Sequence, residues 1–354
     1  MKVVVALFNI DTQAMQYMSA ASRVNHVSAA VESAKSYTEG LGTAFWKDIH
    51  ALRAIFLAPE YCFARSLPNL KGDHGFGDQR QMDEDYVKNN LRPVFAKLSL
   101  SFKNALIVPG SVAWRKSILP KTGGKHGTPQ QTAQYRIGKY TARLQDSANV
   151  NMDYNNGPRF SQGATVFPNA FKRPDDPRTS VDTIGDKIAQ VQTAHYIAKN
   201  TAHCYYNGNE IYKYNKIGDF YEVANPTGDT VNMPNRSTVS GTTVGAGRFS
   251  VAGFDFGISI CYDQSLSVQD PSVQVKSVEP LQRTQGPVSF HILLSAQITP
   301  QAWAANLYSD GYMLSCSSAE DCTRVLEQNG AVVDETTAKN IDNVGKLFLY
   351  QLEI

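Results

Sequence analysis

Three short apolar runs in the first third of the chain constrain its fold most: "KVVVALFN" (2–9), "RAIFLAPE" (53–60) and "NALIVPGS" (104–111). They are rich in β-branched residues and read as buried strands. Pro59 stops the second. Helical spacing lies between them. Val24, Val27, Ala30, Val31 and Ala34 recur along residues 20 to 52, which Gly40 and Gly42 divide into two helical pieces. Tyr86, Val87, Leu91, Phe95 and Leu98 mark one side of a helix over 83–102, kinked or restarted at Pro93. Strand, helix, strand, helix, strand is the order of α/β layers.

The texture then changes. From about 114 to 199 the chain is rich in Gly, Pro, Asn, Gln and Thr, with little periodicity, and is expected to be an irregular insertion. Between Trp114 and Leu144 there is no acidic residue, but Arg115, Lys116, Lys121, Lys125, Arg136, Lys139 and Arg143 are basic. Such a stretch is either a solvated insertion or a substrate-covering loop. Strand texture returns at 200–220, where Asn207-Gly208 between two alternating runs signals a hairpin. A second hairpin is expected at 248–261, turning near Ala252-Gly253. Further strands are expected at 290–295, 311–316, 330–334 and 346–353.

With no clean linker and no repeat, residues 1–354 read as one domain, large enough to bury about 75% of its unfolded surface. A net charge of +2 argues against a nucleic-acid protein with a strong global field. The 5 cysteines are widely spaced and contain no CxxC pair, so neither a disulfide framework nor a zinc ribbon is suggested. "MKVVVALFNI" is too short and lightly flanked for a signal peptide, and no apolar run approaches the ~20 residues of a membrane span. A soluble, cytoplasmic protein is expected. "TGGKHGT" (122–128) lacks the leading glycine and the Ser/Thr of a P-loop, and no helix pattern follows "GTTVGAG" (241–247). No organic cofactor and no metal are expected.

Three residues at strand ends could carry chemistry. Cys261 closes "FGISIC" and is followed by polar residues. Alone, such a cysteine is more often an inert buried thiol. A strand-to-helix turn there would expose the sulfur beside backbone N–H groups, which could lower its pKa and later hold an oxyanion. It needs a base, and no His-based arrangement stands out. Glu60 ends a buried strand after Pro59, where partial desolvation raises a carboxyl pKa towards a useful general-base value. In "EIYKYNK", alternation puts Tyr212, Tyr214 and Lys216 on one face and Lys213 and Asn215 on the other. A lysine in aromatic company is partly buried and must meet a carboxylate or a developing anion.

Taken together, "APE" after a strand, "YNK" after an Asn-Gly hairpin and "GISICYD" after another hairpin resemble the three signatures of the carbon–nitrogen hydrolase, or nitrilase, superfamily, in its order Glu60, Lys216, Cys261. The resemblance covers about two thirds of the chain. It implies a four-layer α-β-β-α sandwich with two central mixed sheets. It also implies hydrolysis of a non-peptide carbon–nitrogen bond, an amide or carbamoyl group, through a cysteine thioester. Cys261 would be the nucleophile and Glu60 the base, with Lys216 and the Tyr262 backbone N–H holding the oxyanion. The family's second glutamate has its nearest match in Glu222, at slightly short spacing. Tyr-Asp after the cysteine resembles the amidase-like branch.

The departures fall around the pocket. The insertion lengthens the gap from Glu60 to Lys216. "YDQSLSVQD" follows the cysteine, and the family's Arg-Ala-x-Glu-Asn helix is not recognisable near 303–310. The expected partner is a small-molecule amide, anionic if the basic stretch reaches it. A homodimer is among the assemblies the family allows. No membrane or nucleic-acid partner is expected. Two alternatives stand beside hydrolysis: an acyltransferase on the same scaffold, and a binding module acting through the insertion.

Overall fold

The computed structural model describes residues 2–12, 14–42, 51–64, 82–153, 189, 191–216, 230–232, 247–266, 268–270, 275–277 and 286–354. The labelled elements are β1 (Lys2–Ile10), α1 (Ala20–Gly40), β2 (Ala54–Leu57), α2 (Arg92–Ser101), β3 (Ala105–Val108), β4 (Ser111–Ser117) and α3 (Pro129–Asp153). After these come β5 (Tyr196–Tyr206), β6 (Asn209–Asn215), β7 (Arg248–Val251), β8 (Phe254–Ile260), β9 (Val288–Ser295), β10 (Leu307–Ser317), β11 (Arg324–Glu327), β12 (Thr337–Ile341) and β13 (Gly345–Glu353).

Two mixed sheets form. The first runs β12-β13-β1-β2-β3-β5-β4, with β6 on β5. The parallel trio β1, β2, β3 lies inside it, and the last strand pairs antiparallel with the first. The second sheet runs β11-β10-β9-β8-β7, with β8, β9 and β10 parallel.

The continuous apolar runs are explained by burial on both faces. Val4, Ala6, Phe8 and Ile10 of β1 pack with Val27, Ala30, Val31 and Ala34 of α1 and with Phe95 of α2. Val3, Val5 and Leu7 point the other way, onto Phe256, Ile258, Phe290, Ile292 and Leu314 of the second sheet. Full burial of each large apolar side chain contributes about 1.5–3 kcal/mol. The outer face of the second sheet carries a further cluster of Val288, Leu293, Met313 and Leu326, with Ala302 and Ala305 over it.

Both expected hairpins form. Tyr206 pairs with Asn209 across Asn207 (φ 49°) and Gly208 (φ 84°), and Val251 with Phe254 across Ala252 (φ 50°) and Gly253 (φ 84°). Two positive φ values suit the strand twist, and Asn and Gly adopt them most readily.

Two expectations need correction. The helix expected over 83–102 contains a π-helical stretch, Val87–Leu91, closed by Arg92 N–H donating to the Val87 carbonyl. The extra residue shifts the helical phase, so Tyr86 is exposed while Val87, Leu91 and Phe95 stay buried. Pro93 sits in the first turn of α2, where a missing N–H is harmless. Within the stretch expected to be irregular, residues 129–153 form α3. Its apolar stripe is thin: Ala133, Ile137 and Tyr140 pack on Ile118, Val191 and Ile197. One apolar residue per turn among Gln, Thr and Arg gives a weak periodic signal.

Candidate active site

Each candidate residue sits just past the end of a strand, where the fold turns sharply. Beyond β2, Pro59 and Glu60 lead to Tyr61, whose φ is 56°. The loop after β3 locks this turn. Tyr61 N–H donates to Ser111 Oγ at 3.0 Å, and Ser111 N–H to the Pro59 carbonyl at 3.2 Å. Gly110 (φ +100°) makes the interlock feasible, because a Cβ there would lie 2.5 Å from Cys62 Cβ and 2.6 Å from the Pro59 oxygen.

Cys261 follows β8 with φ 51° and opens the 3-10 turn Cys261–Leu266. A non-glycine residue in the left-handed region costs backbone energy and persists where its surroundings fix it. Asp263, fully buried, is one such fixture. Its Oδ2 accepts from Tyr214 Oη at 2.7 Å and from Ile260 N–H at 3.3 Å, tying the turn to β6. Gln264 ties it to the loop after β9, donating to the Thr299 carbonyl at 3.1 Å and accepting from Gln301 N–H at 3.2 Å. Lys216 ends the β6 run on the face of Tyr214, its N–H donating to the Asn200 carbonyl at 2.8 Å.

These loops bring three distant residues together. Lys216 Nζ donates to Glu60 Oε1 at 2.8 Å across 156 residues of sequence. Asn200 Nδ2 donates to the same oxygen at 2.8 Å. Glu60 Oε2 is buried, and the Cys261 thiol lies beside the carboxylate, with which it shares a hydrogen bond, and near the ammonium. Glu60, Lys216 and Cys261 are 0%, 4% and 6% exposed.

Burial alone would lower the Lys216 pKa, but Glu60, Cys261 and Asp263 outweigh it and the ammonium is held more firmly than usual. The thiol moves the other way. Burial, and then the Glu60 charge, push the Cys261 pKa well up, against the pull of Lys216 and the Ala296 backbone. The expectation of a thiol acidified by its turn is therefore corrected: burial and the facing carboxylate hold the Cys261 thiol above its ordinary pKa. A signed outcome follows for iodoacetamide labelling of Cys261, followed by peptide mass spectrometry. Glu60→Gln should shift the pH profile of alkylation to lower pH, and Lys216→Met to higher pH. Shifts in the opposite sense would overturn this electrostatic account.

The main chain of Tyr262 lies in the turn directly after the sulfur-bearing residue. Glu222 lies outside the described residues. Sequence reasoning missed Asn200 and the positioning role of Asp263. A buried Asn inside a strand is unusual enough to have flagged the first. The second stood in view two residues past the cysteine, but its partner Tyr214 is 49 residues away. All five cysteines are buried, and none forms a disulfide. Among the described residues no group of three or more His, Cys, Asp or Glu gathers as metal ligands would, and no helix is long and apolar enough to cross a membrane.

No protein-family model matches the chain, and no curated protein matches it. Solved structures to which it is similar include members of the nitrilase superfamily. Nit3 of Saccharomyces cerevisiae is 15% identical with a TM-score of 0.40, over 99% of this chain and 90% of that one. An amidase from Nesterenkonia sp. is 10% identical with a TM-score of 0.38, over 99% and 90%. A CN-hydrolase superfamily protein from Xanthomonas campestris, with an arsenic adduct in its active site, is 10% identical with a TM-score of 0.43, over 100% and 91%. These likenesses are too distant to bear on chemistry, which rests on the side chains described above.

Proposed function

We propose that the protein hydrolyses a small-molecule amide or carbamoyl group through a thioester on Cys261, as an amidase-like carbon–nitrogen hydrolase. The observation that carries this reading is the buried Glu60–Lys216 pair beside a thiol on a left-handed strand-end turn. The order and context of the three sequence signatures support it.

In this reading Cys261 Sγ attacks the carbonyl carbon as its proton passes to Glu60 Oε2. Protonation of Glu60 loosens its hold on Lys216, which frees the ammonium to meet the forming oxyanion together with the Tyr262 backbone N–H. Glu60 then returns the proton to the leaving nitrogen, and ammonia or an amine departs. Water attacks the thioester, giving its proton to Glu60, and collapse releases the acid and the thiol. Asn200 and Asp263 act as positioning residues, one for the carboxylate and one for the turn. Glu222 is kept as a further candidate near Lys216. The same reading takes residues 1–354 as a single domain of the four-layer α-β-β-α type with a cytoplasmic location, and it allows a homodimer.

The test uses activated esters of small acyl groups, whose leaving groups need no proton. In Glu60→Gln the deacylation base is missing, so an acyl adduct should accumulate on Cys261, and hydroxylamine should release it as a hydroxamate. An adduct on another cysteine, or none with any acyl group, would count against the thioester. Amide formation with added amines in preference to acid would move the assignment to the acyltransferase.

A further inference from the structure

The core face of α1 carries one residue of a different kind from its neighbours. Val27, Ala30, Val31 and Ala34 belong to the core under the first sheet. Arg23 stands one turn before Val27 on the same face, is 0% exposed, and is among the largest fully buried side chains described. Its hydrogen bonds run to carbonyl oxygens: Nε donates to Met18 at 3.3 Å and Nη1 to Cys62 at 3.4 Å. Nη2 is buried with no hydrogen-bond partner among the described residues.

Helix stability does not favour a cation there. Arg23 lies in the first turn of α1, at the positive end of the helix dipole. A buried charge loses hydration that neutral carbonyls restore only in part. Burial pushes its pKa down to about 10, against the pull of the Cys62 thiol, so it keeps its charge at neutral pH. An apolar side chain would fill the same space and match Val27 and Ala30.

What the arginine supplies is a hold on the turn after β2. Cys62 lies two residues past Glu60 and directly after Tyr61, whose φ is 56°. One side of that turn is fastened by the loop after β3. Ser111 holds Pro59 and Tyr61, and Phe63 N–H donates to the Ser111 carbonyl at 3.1 Å. The Cys62 carbonyl is fastened from α1, by Arg23. The main chain before and after Glu60 is thus tied to two separate elements. Its carboxylate is left under Lys216 and Asn200 and beside Cys261.

We propose that Arg23 is a positioning residue for Glu60: by clamping the Cys62 carbonyl it fixes the turn that aims the carboxylate at Cys261 and Lys216. The inference rests on Glu60 as the base of the proposed hydrolysis. The test is the pH profile of iodoacetamide labelling at Cys261 in the full chain, read by peptide mass spectrometry. Arg23→Met should move the profile down by about 1 pH unit or more, in the sense expected of Glu60→Gln, because a carboxylate released from the thiol no longer raises its pKa. Arg23→Lys keeps the charge with a single donor group and should lie between the two. Val27→Ala, equally buried one turn along, should lower the melting temperature and leave the profile in place. A profile unmoved in the Arg23 variants, or moved as far by Val27→Ala, would overturn the proposal. The lysine variant decides alone if the methionine variant does not fold. Labelling needs no substrate, so this outcome is separate from that of the hydrolase reading, which falls if no acyl adduct forms on Cys261.

Discussion

Cys261→Ala is expected to lower turnover by about 10⁴-fold or more, the scale seen when a covalent nucleophile is removed and only binding and oxyanion contacts remain. The fold should survive. The substitution removes one buried sulfur, a change of about 1 kcal/mol, and leaves the Glu60–Lys216 ion pair in place. Alanine also meets the same left-handed backbone at position 261 that cysteine already adopts. The check is steady-state turnover on whichever small amide the unaltered protein accepts under the proposed function, beside a thermal melt. A variant that kept a tenth of the turnover would remove Cys261 from the chemistry. It would leave the buried ion pair needing another explanation.

Lys216→Met carries the second large effect, and it falls on stability as well as rate. The Glu60 carboxylate would remain fully buried with Asn200 and the Cys261 thiol as its remaining described donors. Breaking one side of a buried ion pair costs about 3–5 kcal/mol, mostly because the survivor keeps its charge without compensation. A fall of about 4–7 °C in the melting temperature follows for a chain of 354 residues. The double variant Lys216→Met with Glu60→Gln should recover most of that loss, since a neutral amide no longer needs the ammonium. Turnover should not recover if Glu60 and Lys216 are the proposed base and oxyanion cation, because both are then gone. Recovery of stability without activity separates the catalytic role from the structural one. A single variant as stable as the parent would show that the pair is not held as tightly as its geometry requires.

The readability of this chain divides along the range of the interactions. β1, β2 and β3 were legible because each is a local apolar run, and the two hairpins because Asn207-Gly208 and Ala252-Gly253 carry their turn geometry in adjacent residues. The alternation that placed Tyr214 and Lys216 on one buried face was equally local. The phase of the helix before Pro93 was not, because the π-helical turn at Val87–Leu91 leaves no mark in the apolar spacing. Nor was α3, whose packing face is too thin to stand out until Ile118 and Ile197 are seen beneath it.

The sequence by itself determined that a glutamate, a lysine and a cysteine would each stand at the end of a strand. Strand ends are set by short-range pattern, and the order of the three motifs suggested a common purpose. Only the tertiary structure decided that Lys216 lies 2.8 Å from Glu60, that Asn200 and Asp263 hold the arrangement, and that burial and the carboxylate raise the Cys261 pKa. Those properties depend on desolvation and on charges brought together across 156 residues. A buried carboxylate raises a neighbouring thiol's pKa only once the fold has removed the water between them.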